Sequence, residues 1–188
     1  RSLNTFVYRS DAQLADLLFH ELAHQRLYIN GDSQFNESFA TLVARVGVQR
    51  WYASKQSADG YREYREDQHQ QEQFIALVTQ FRGKLRSLYG SKHLSRTEKQ
   101  KGKAQIIAAL RKAHNQLKQE WGGTSRYDWW FSHSLNNAQL NTISTYNQWV
   151  PALQNLLNQH DGNLENFYTA INKLKNLSLV EREAYLAG

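Results

Sequence analysis

Proline occurs once among the 188 residues, at Pro151, and glycine ten times. A chain with so few residues that interrupt regular backbone is poorly suited to a turn-rich β-sandwich and favours long helices. Cysteine is absent, which excludes disulfides, thiolate metal sites and catalytic thiols. The length suffices for one hydrophobic core. The sequence therefore predicts a mainly α-helical fold, a single domain over residues 1–188, with at most a few short strands.

Apolar residues three and four positions apart, together with capping residues and glycines, define the predicted helices. Asn30-Gly31 ends the first helix, and Asp32 or Ser33 caps the second. A turn is predicted over 57–60, and short strands over 5–8 and 129–133. The predicted helices span about 11–28, 33–51, 61–88, 95–121, 135–148, 151–159, 163–175 and 178–186.

The segment His20-Glu21-Leu22-Ala23-His24 places two histidines four residues apart on the first predicted helix. Four residues advance a helix by slightly more than one turn, so the two imidazoles lie on one face and can bind one Zn²⁺. Glu21 is adjacent to His20, and its carboxylate can act beside the metal without being a ligand. The spacing is the H-E-x-x-H pattern of zinc hydrolases.

A catalytic zinc site needs a third protein ligand, and Glu37 is the candidate. Twelve residues separate Glu37 from His24, and it lies in the first turn of the second predicted helix. The turn at 30–32 folds this helix back against the first, which brings Glu37 near the two histidines. Residues 11–40 contain five acids and one arginine, a balance that suits a cation site.

The run H-E-L-A-H-Q followed by F-N-E-S-F-A-T resembles the gluzincin zinc peptidases, in which the third ligand is the Glu of an Asn-Glu pair on a later helix. The longer pattern is similar to a bacterial family described as putative zinc aminopeptidases. The residues that carry this resemblance are Leu14-Ala15, 19–25, Tyr28, Gly31-Asp32, 35–41, Gly47, Trp51, 136–138, Tyr146 and Phe167-Tyr168.

The resemblance implies a helical zincin-like metallopeptidase domain, with its zinc motifs within 14–51 and a helical C-terminal region over 127–188. It implies that His20, His24 and Glu37 bind Zn²⁺ and that Glu21 is the general base. It also implies a peptide or protein substrate and aminopeptidase-like hydrolysis.

Further residues are candidates for contact with the substrate or the reacting atoms. Tyr146 is the first choice for the donor that stabilises the developing oxyanion, with His133 and Asn137 as alternatives. Asn36, Asn137 and His133 are candidate substrate contacts, and Asn36 is equally suited to capping. Asp32 either supports a histidine ligand or caps the second helix.

Two other functions stay open. A non-enzymatic module can retain a metal site as a structural or sensing element, and an endopeptidase can act on one specific protein partner. Metal analysis combined with hydrolysis of free and blocked peptides distinguishes these functions from an aminopeptidase.

The net charge of +6 has a local origin, because residues 82–118 contain eleven Lys and Arg and one acid. We expect a basic helix–loop–helix insertion over 82–118, with 91–103 as a solvated loop. Contact with an anionic membrane or envelope surface is the next interpretation. Nucleic acid is the least favoured partner, because Tyr89 is nearly alone among aromatics and no nucleic-acid motif is present.

No stretch of the chain has the length and apolar character of a transmembrane segment. The chain has no Met and begins with Arg1, so we expect the C-terminal catalytic part of a longer precursor. The family resemblance implies the Gram-negative cell envelope or periplasm, with a lipid anchor on the missing N-terminal segment.

Overall fold

The computed structural model describes residues 10–132, 135, 140 and 147–188. These residues form eight α-helices and no β-strand, which confirms the mainly α class. Within this part of the chain, no helix combines the length and apolar character needed to cross a membrane. The helices are α1 (Asp11–Arg26), α2 (Ser33–Ser54), α3 (Ala58–Gly90), α4 (Arg96–Glu120), α5 (Asp128–Ser132), α6 (Val150–Gln159), α7 (Leu164–Lys175) and α8 (Leu179–Ala187).

Polar side chains fix where several helices begin. Ser10 caps α1 in a capping box with Gln13, and Ser178 caps α8 in the same way with Glu181. Each pair supplies acceptors to backbone N–H groups that have no partner within the helix. Pro151 lies in the first turn of α6, where its missing N–H is tolerated.

Three predicted local structures are wrong. The strand candidate at 129–133 is helical through residue 132, in α5, because so short an apolar run carries no reliable period. The loop predicted over 91–103 is confined to 91–95, since Ser95 and Glu98 form a capping box that begins α4. The turn predicted at 57–60 lies earlier, at 55–57, and α3 begins at Ala58. The strand candidate at 5–8 and most of the helix predicted at 135–148 lie outside the described residues.

The chain divides into two compact units, residues 1–64 with 146–188 and residues 65–145. The main core of the first unit draws on α1, α2, α6, α7 and α8. Phe35, Phe39 and Phe167 are fully buried there, and their rings stack at 6.4 Å and 6.2 Å between neighbouring centroids. This division does not test the prediction of one domain, which stays a prediction.

The core of the second unit is aromatic and is formed mainly by α3, α4 and α5. His114 lies on α4 and is 4% exposed. Its ring stacks on Phe131 at 4.2 Å and meets Phe74 edge-on at 6.1 Å. Burial lowers the pKa of His114 below its ordinary value. This histidine is therefore part of the core.

Candidate metal centre

His20 and His24 on α1 meet Glu37 on α2. The Nε2 atoms of the two imidazoles lie 3.1 Å apart. Glu37 Oε2 lies 3.3 Å from His20 Nε2, and Glu37 Oε1 lies 3.7 Å from His24 Nε2. The three side chains are between 18% and 24% exposed, so an ion can reach them from solvent.

The distances within this cluster suit one Zn²⁺. Two ligand atoms at about 2.0–2.1 Å from a tetrahedral zinc ion lie about 3.4 Å from each other. The two Nε2 atoms, 3.1 Å apart, are close to that value, and one oxygen of Glu37 lies 3.3 Å from His20 Nε2 while the other lies 3.7 Å from His24 Nε2. With one ligand atom taken from each residue, the three atoms lie within 4.8 Å of one another. Two imidazoles and one carboxylate are also a donor set of catalytic zinc sites, which keep a fourth position open. In the part of the chain that the structure describes, this is the one grouping of three such side chains.

The two ring nitrogens of His24 have different surroundings. Nε2 faces His20 and Glu37, whereas Nδ1 is buried and has no hydrogen-bond partner among the described residues. The ring packs edge-on against His20 at 4.8 Å and against Tyr28 at 6.2 Å. His24 can therefore offer a metal ion its Nε2 and not its Nδ1.

Glu21 follows His20 on α1, and its side chain is exposed. It projects about 100° around the helix from His20 and about 60° from His24. Its carboxylate forms no ion pair with any described residue. Glu21 is thus an exposed carboxylate beside the cluster.

The connection between α1 and α2 is held by Asn36. Its Oδ1 accepts a hydrogen bond from the Ile29 N–H at 2.9 Å, and its Nδ2 donates to the Ile29 carbonyl at 2.8 Å. Asn36 is 1% exposed. Because Glu37 is the next residue, this clamp fixes Glu37 relative to the chain that leaves α1.

Asp32 ties the same connection to the C-terminal helix. Its Oδ1 caps α2 by accepting from the Phe35 N–H at 3.0 Å, and Arg182 Nε donates to its Oδ2 at 2.7 Å. Arg182 Nη1 also donates to the carbonyls of Leu174 and Leu177. Asp32 and Arg182 are 6% and 3% exposed. Helix α8 therefore anchors the end of α2 that carries Glu37.

Two contacts fix α1 next to His20. A Cβ atom at Gly47 would lie 2.6 Å from Phe19 Cγ, so the Phe19 ring needs a glycine on α2. One turn before His20, Asp16 Oδ1 accepts a hydrogen bond from the Tyr64 hydroxyl at 2.6 Å. Burial, with the Asp16 carboxylate, raises the pKa of Tyr64 above its usual value and keeps it a donor.

The outcomes differ among the predicted site residues. The structure brings His20, His24 and Glu37 together as predicted. Asn36 is buried, and both ends of its amide bind Ile29; its role as a substrate contact stays a prediction. Asp32 is a helix cap, as one of its two interpretations holds. Tyr146, His133 and Asn137 lie outside the described residues, so their roles stay predictions.

Sequence reasoning missed Arg182, which lies 150 residues after Asp32. Glu181 and Glu183 flank it, so the local sequence has the character of a solvent-exposed helix. The available signal was helical spacing, because Arg182 is four residues before Leu186 and shares its buried face. A charged residue on such a face needs a buried partner.

Comparison with known proteins gives one family. A family model described as "Putative aminopeptidase" matches residues 2–186, almost the whole chain. No curated protein and no solved structure matches the sequence or the fold.

Proposed function

The chain belongs to this family of putative aminopeptidases, and from that premise we propose that it is a zinc-dependent peptidase. His20, His24 and Glu37 hold the zinc ion, and Glu21 is the general base. One observation carries the proposal: the Nε2 atoms of His20 and His24 lie 3.1 Å apart, and each has a Glu37 oxygen at 3.3 or 3.7 Å, spacings that suit the ligands of one ion. The H-E-x-x-H spacing adds an exposed carboxylate beside them.

Bound zinc supplies Lewis acidity, which makes water a stronger acid and polarises the peptide carbonyl. Glu21 accepts a proton from the attacking water and returns it to the nitrogen of the leaving amine as the C–N bond breaks. Its lack of an ion-pair partner among the described residues leaves the carboxylate available for both transfers. Asn36 and Asp32 act at a distance from the substrate, by keeping Glu37 beside the histidines.

The decisive variant is Glu21→Gln, which keeps the size of the side chain and removes its basicity. We expect one zinc per chain in both the wild type and the variant. Peptide hydrolysis should fall by about 10²–10⁴-fold, the usual contribution of a general base. Asp11→Asn is the matched control, because it removes an exposed carboxylate from the first turn of the same helix. Full activity in Glu21→Gln would refute the assignment of the base.

Substrate comparison separates the aminopeptidase from the two other functions. An aminopeptidase cleaves amino-acid anilides with a free amine and spares N-blocked peptides. Equal cleavage of free and blocked peptides would instead identify an endopeptidase. Stoichiometric zinc with no cleavage of either class would identify a metal-binding module.

A further inference from the structure

Positive charge is concentrated at the end of the hairpin that α3 and α4 form. Residues 82–103, here called the basic tip, contain eight Lys and Arg and one acid, Glu98. They comprise the last turns of α3, the connection 91–95 and the first turns of α4. We propose that the basic tip is a binding surface for an anionic lipid bilayer. This proposal does not depend on the metal centre.

Most of this charge is presented to solvent without a counter-ion. Four exposed cations of the tip form no ion pair, hydrogen bond or ring contact within the described part of the chain: Arg86, Lys92, Arg96 and Lys101. The single acid is occupied, because Glu98 accepts hydrogen bonds from the Ser95 hydroxyl and N–H. These bonds lower the pKa of Glu98, yet they direct its carboxylate at Ser95 and not at a cation.

The tip holds its cations on a defined scaffold. A Cβ atom at Gly102 would lie 2.7 Å from Leu88 Cδ1, so α3 and α4 approach each other closely there. Lys99 Nζ donates to the Tyr89 carbonyl at 3.0 Å and joins the end of α3 to the start of α4. The positive groups therefore lie at the closed end of a helical hairpin.

The composition of the basic tip favours a bilayer over single-stranded nucleic acid. Single-stranded nucleic acid is bound on successive aromatic side chains, but Tyr89 is the one Phe, Tyr or Trp in residues 82–103. A tyrosine beside clustered cations suits a membrane surface, where its amphipathic ring lies at the level of the headgroups. Tyr89 is 41% exposed, so its ring is available to that interface.

The strength of the interaction follows from the number of free cations. Each Lys or Arg close to an anionic surface strengthens binding by roughly fivefold, and salt weakens it within a Debye length. Neutralising the four free cations should therefore weaken binding by several hundredfold.

The experiment measures sedimentation of the full chain with vesicles of phosphatidylcholine alone or mixed with phosphatidylglycerol, at low and raised NaCl. The test variant is R86Q/K92Q/R96Q/K101Q. The control is K55Q/R65Q/K173Q/K175Q, which removes the same charge from exposed sites outside the tip. Helical circular dichroism checks that both variants are folded.

We expect salt-sensitive binding to the mixed vesicles that the test variant loses by several hundredfold and the control largely retains. Three results would overturn the proposal. The first is an equal loss of vesicle binding in both variants, which would reflect net charge alone. The second is equal binding of the wild type to neutral and mixed vesicles. The third is tighter binding to duplex DNA than to the mixed vesicles at the same salt.

Discussion

The α1–α2 and α3–α4 hairpins are both closely packed, but their connecting segments direct charged groups in opposite directions. Each has a glycine on one helix against a side chain of the other, Gly47 against Phe19 and Gly102 against Leu88. The connection of the first directs its polar groups inward, where Asp32 is paired with Arg182. The tip of the second directs its cations outward.

Their histidines differ in the same sense. His20 and His24 lie half-buried beside a carboxylate, whereas His114 is enclosed by aromatic rings. A histidine or a charged side chain therefore does not by itself indicate a binding site. The groups available to an ion or a partner are those that the packing leaves accessible and unneutralised.

The largest effect is expected from Arg182→Met, which removes the partner of Asp32 in the connection between α1 and α2. The substitution leaves the Asp32 carboxylate buried without its counter-ion, and we expect the free energy of unfolding to fall by about 3–5 kcal/mol. Urea denaturation measures this loss. The double variant Asp32→Asn/Arg182→Met should recover part of it, because no unpaired charge remains and Asn still caps α2. A loss below about 1 kcal/mol in the single variant would show that the pair does not stabilise the connection.

The two glycines give a matched test of intermediate size. In Gly47→Ala the new methyl group meets the base of the Phe19 ring, which cannot turn aside, so we expect about 1–3 kcal/mol of destabilisation and weaker zinc binding. In Gly102→Ala it meets the flexible end of Leu88, and the gain in helix propensity of about 1 kcal/mol offsets the contact. Zinc titration and urea denaturation of both variants measure the difference. Equal zinc affinity in Gly47→Ala and wild type would contradict the positioning role of this contact.

The smallest effect concerns the pH dependence of the second hairpin. Burial lowers the pKa of His114 below 6.5, with Asp128 opposing this shift and Lys118 adding to it. The unfolded chain therefore binds a proton first as the pH falls. The contribution of neutral His114 to the free energy of unfolding is fully present above about pH 6.5. It declines as the pH falls from there toward the lowered pKa. His114→Phe should make this decline shallower in metal-free protein, measured by urea denaturation across that range. An identical pH dependence of the free energy of unfolding in wild type and variant would contradict this role of His114.

Local patterns predicted much of the fold because the determinants of helices are local. Capping residues and apolar spacing give the helices close to their observed bounds, and His20, His24 and Glu37 lie on consecutive helices joined by a short connection. The predicted start of the fourth helix at about residue 95 is close to the observed start of α4 at Arg96. The charge of 91–103 was nevertheless interpreted as a loop, because charge alone carries no helical period.

Contacts between distant segments were not predictable in this way. Arg182 and Asp32 are 150 residues apart, and neither residue alone indicates the other. The burial of His114 depends on Phe74 from α3 and Phe131 from α5. Helical spacing places His114 on the face of Leu110, but the aromatic rings that enclose it come from two other helices and cannot be predicted from its own segment.

X-ray absorption at the zinc edge of the zinc-loaded chain tests whether His20, His24 and Glu37 hold one zinc ion. We expect a four-coordinate shell of nitrogen and oxygen at about 2.0–2.1 Å, with the multiple-scattering signal of two imidazoles. A shell without imidazole, or one of six oxygens, would contradict it.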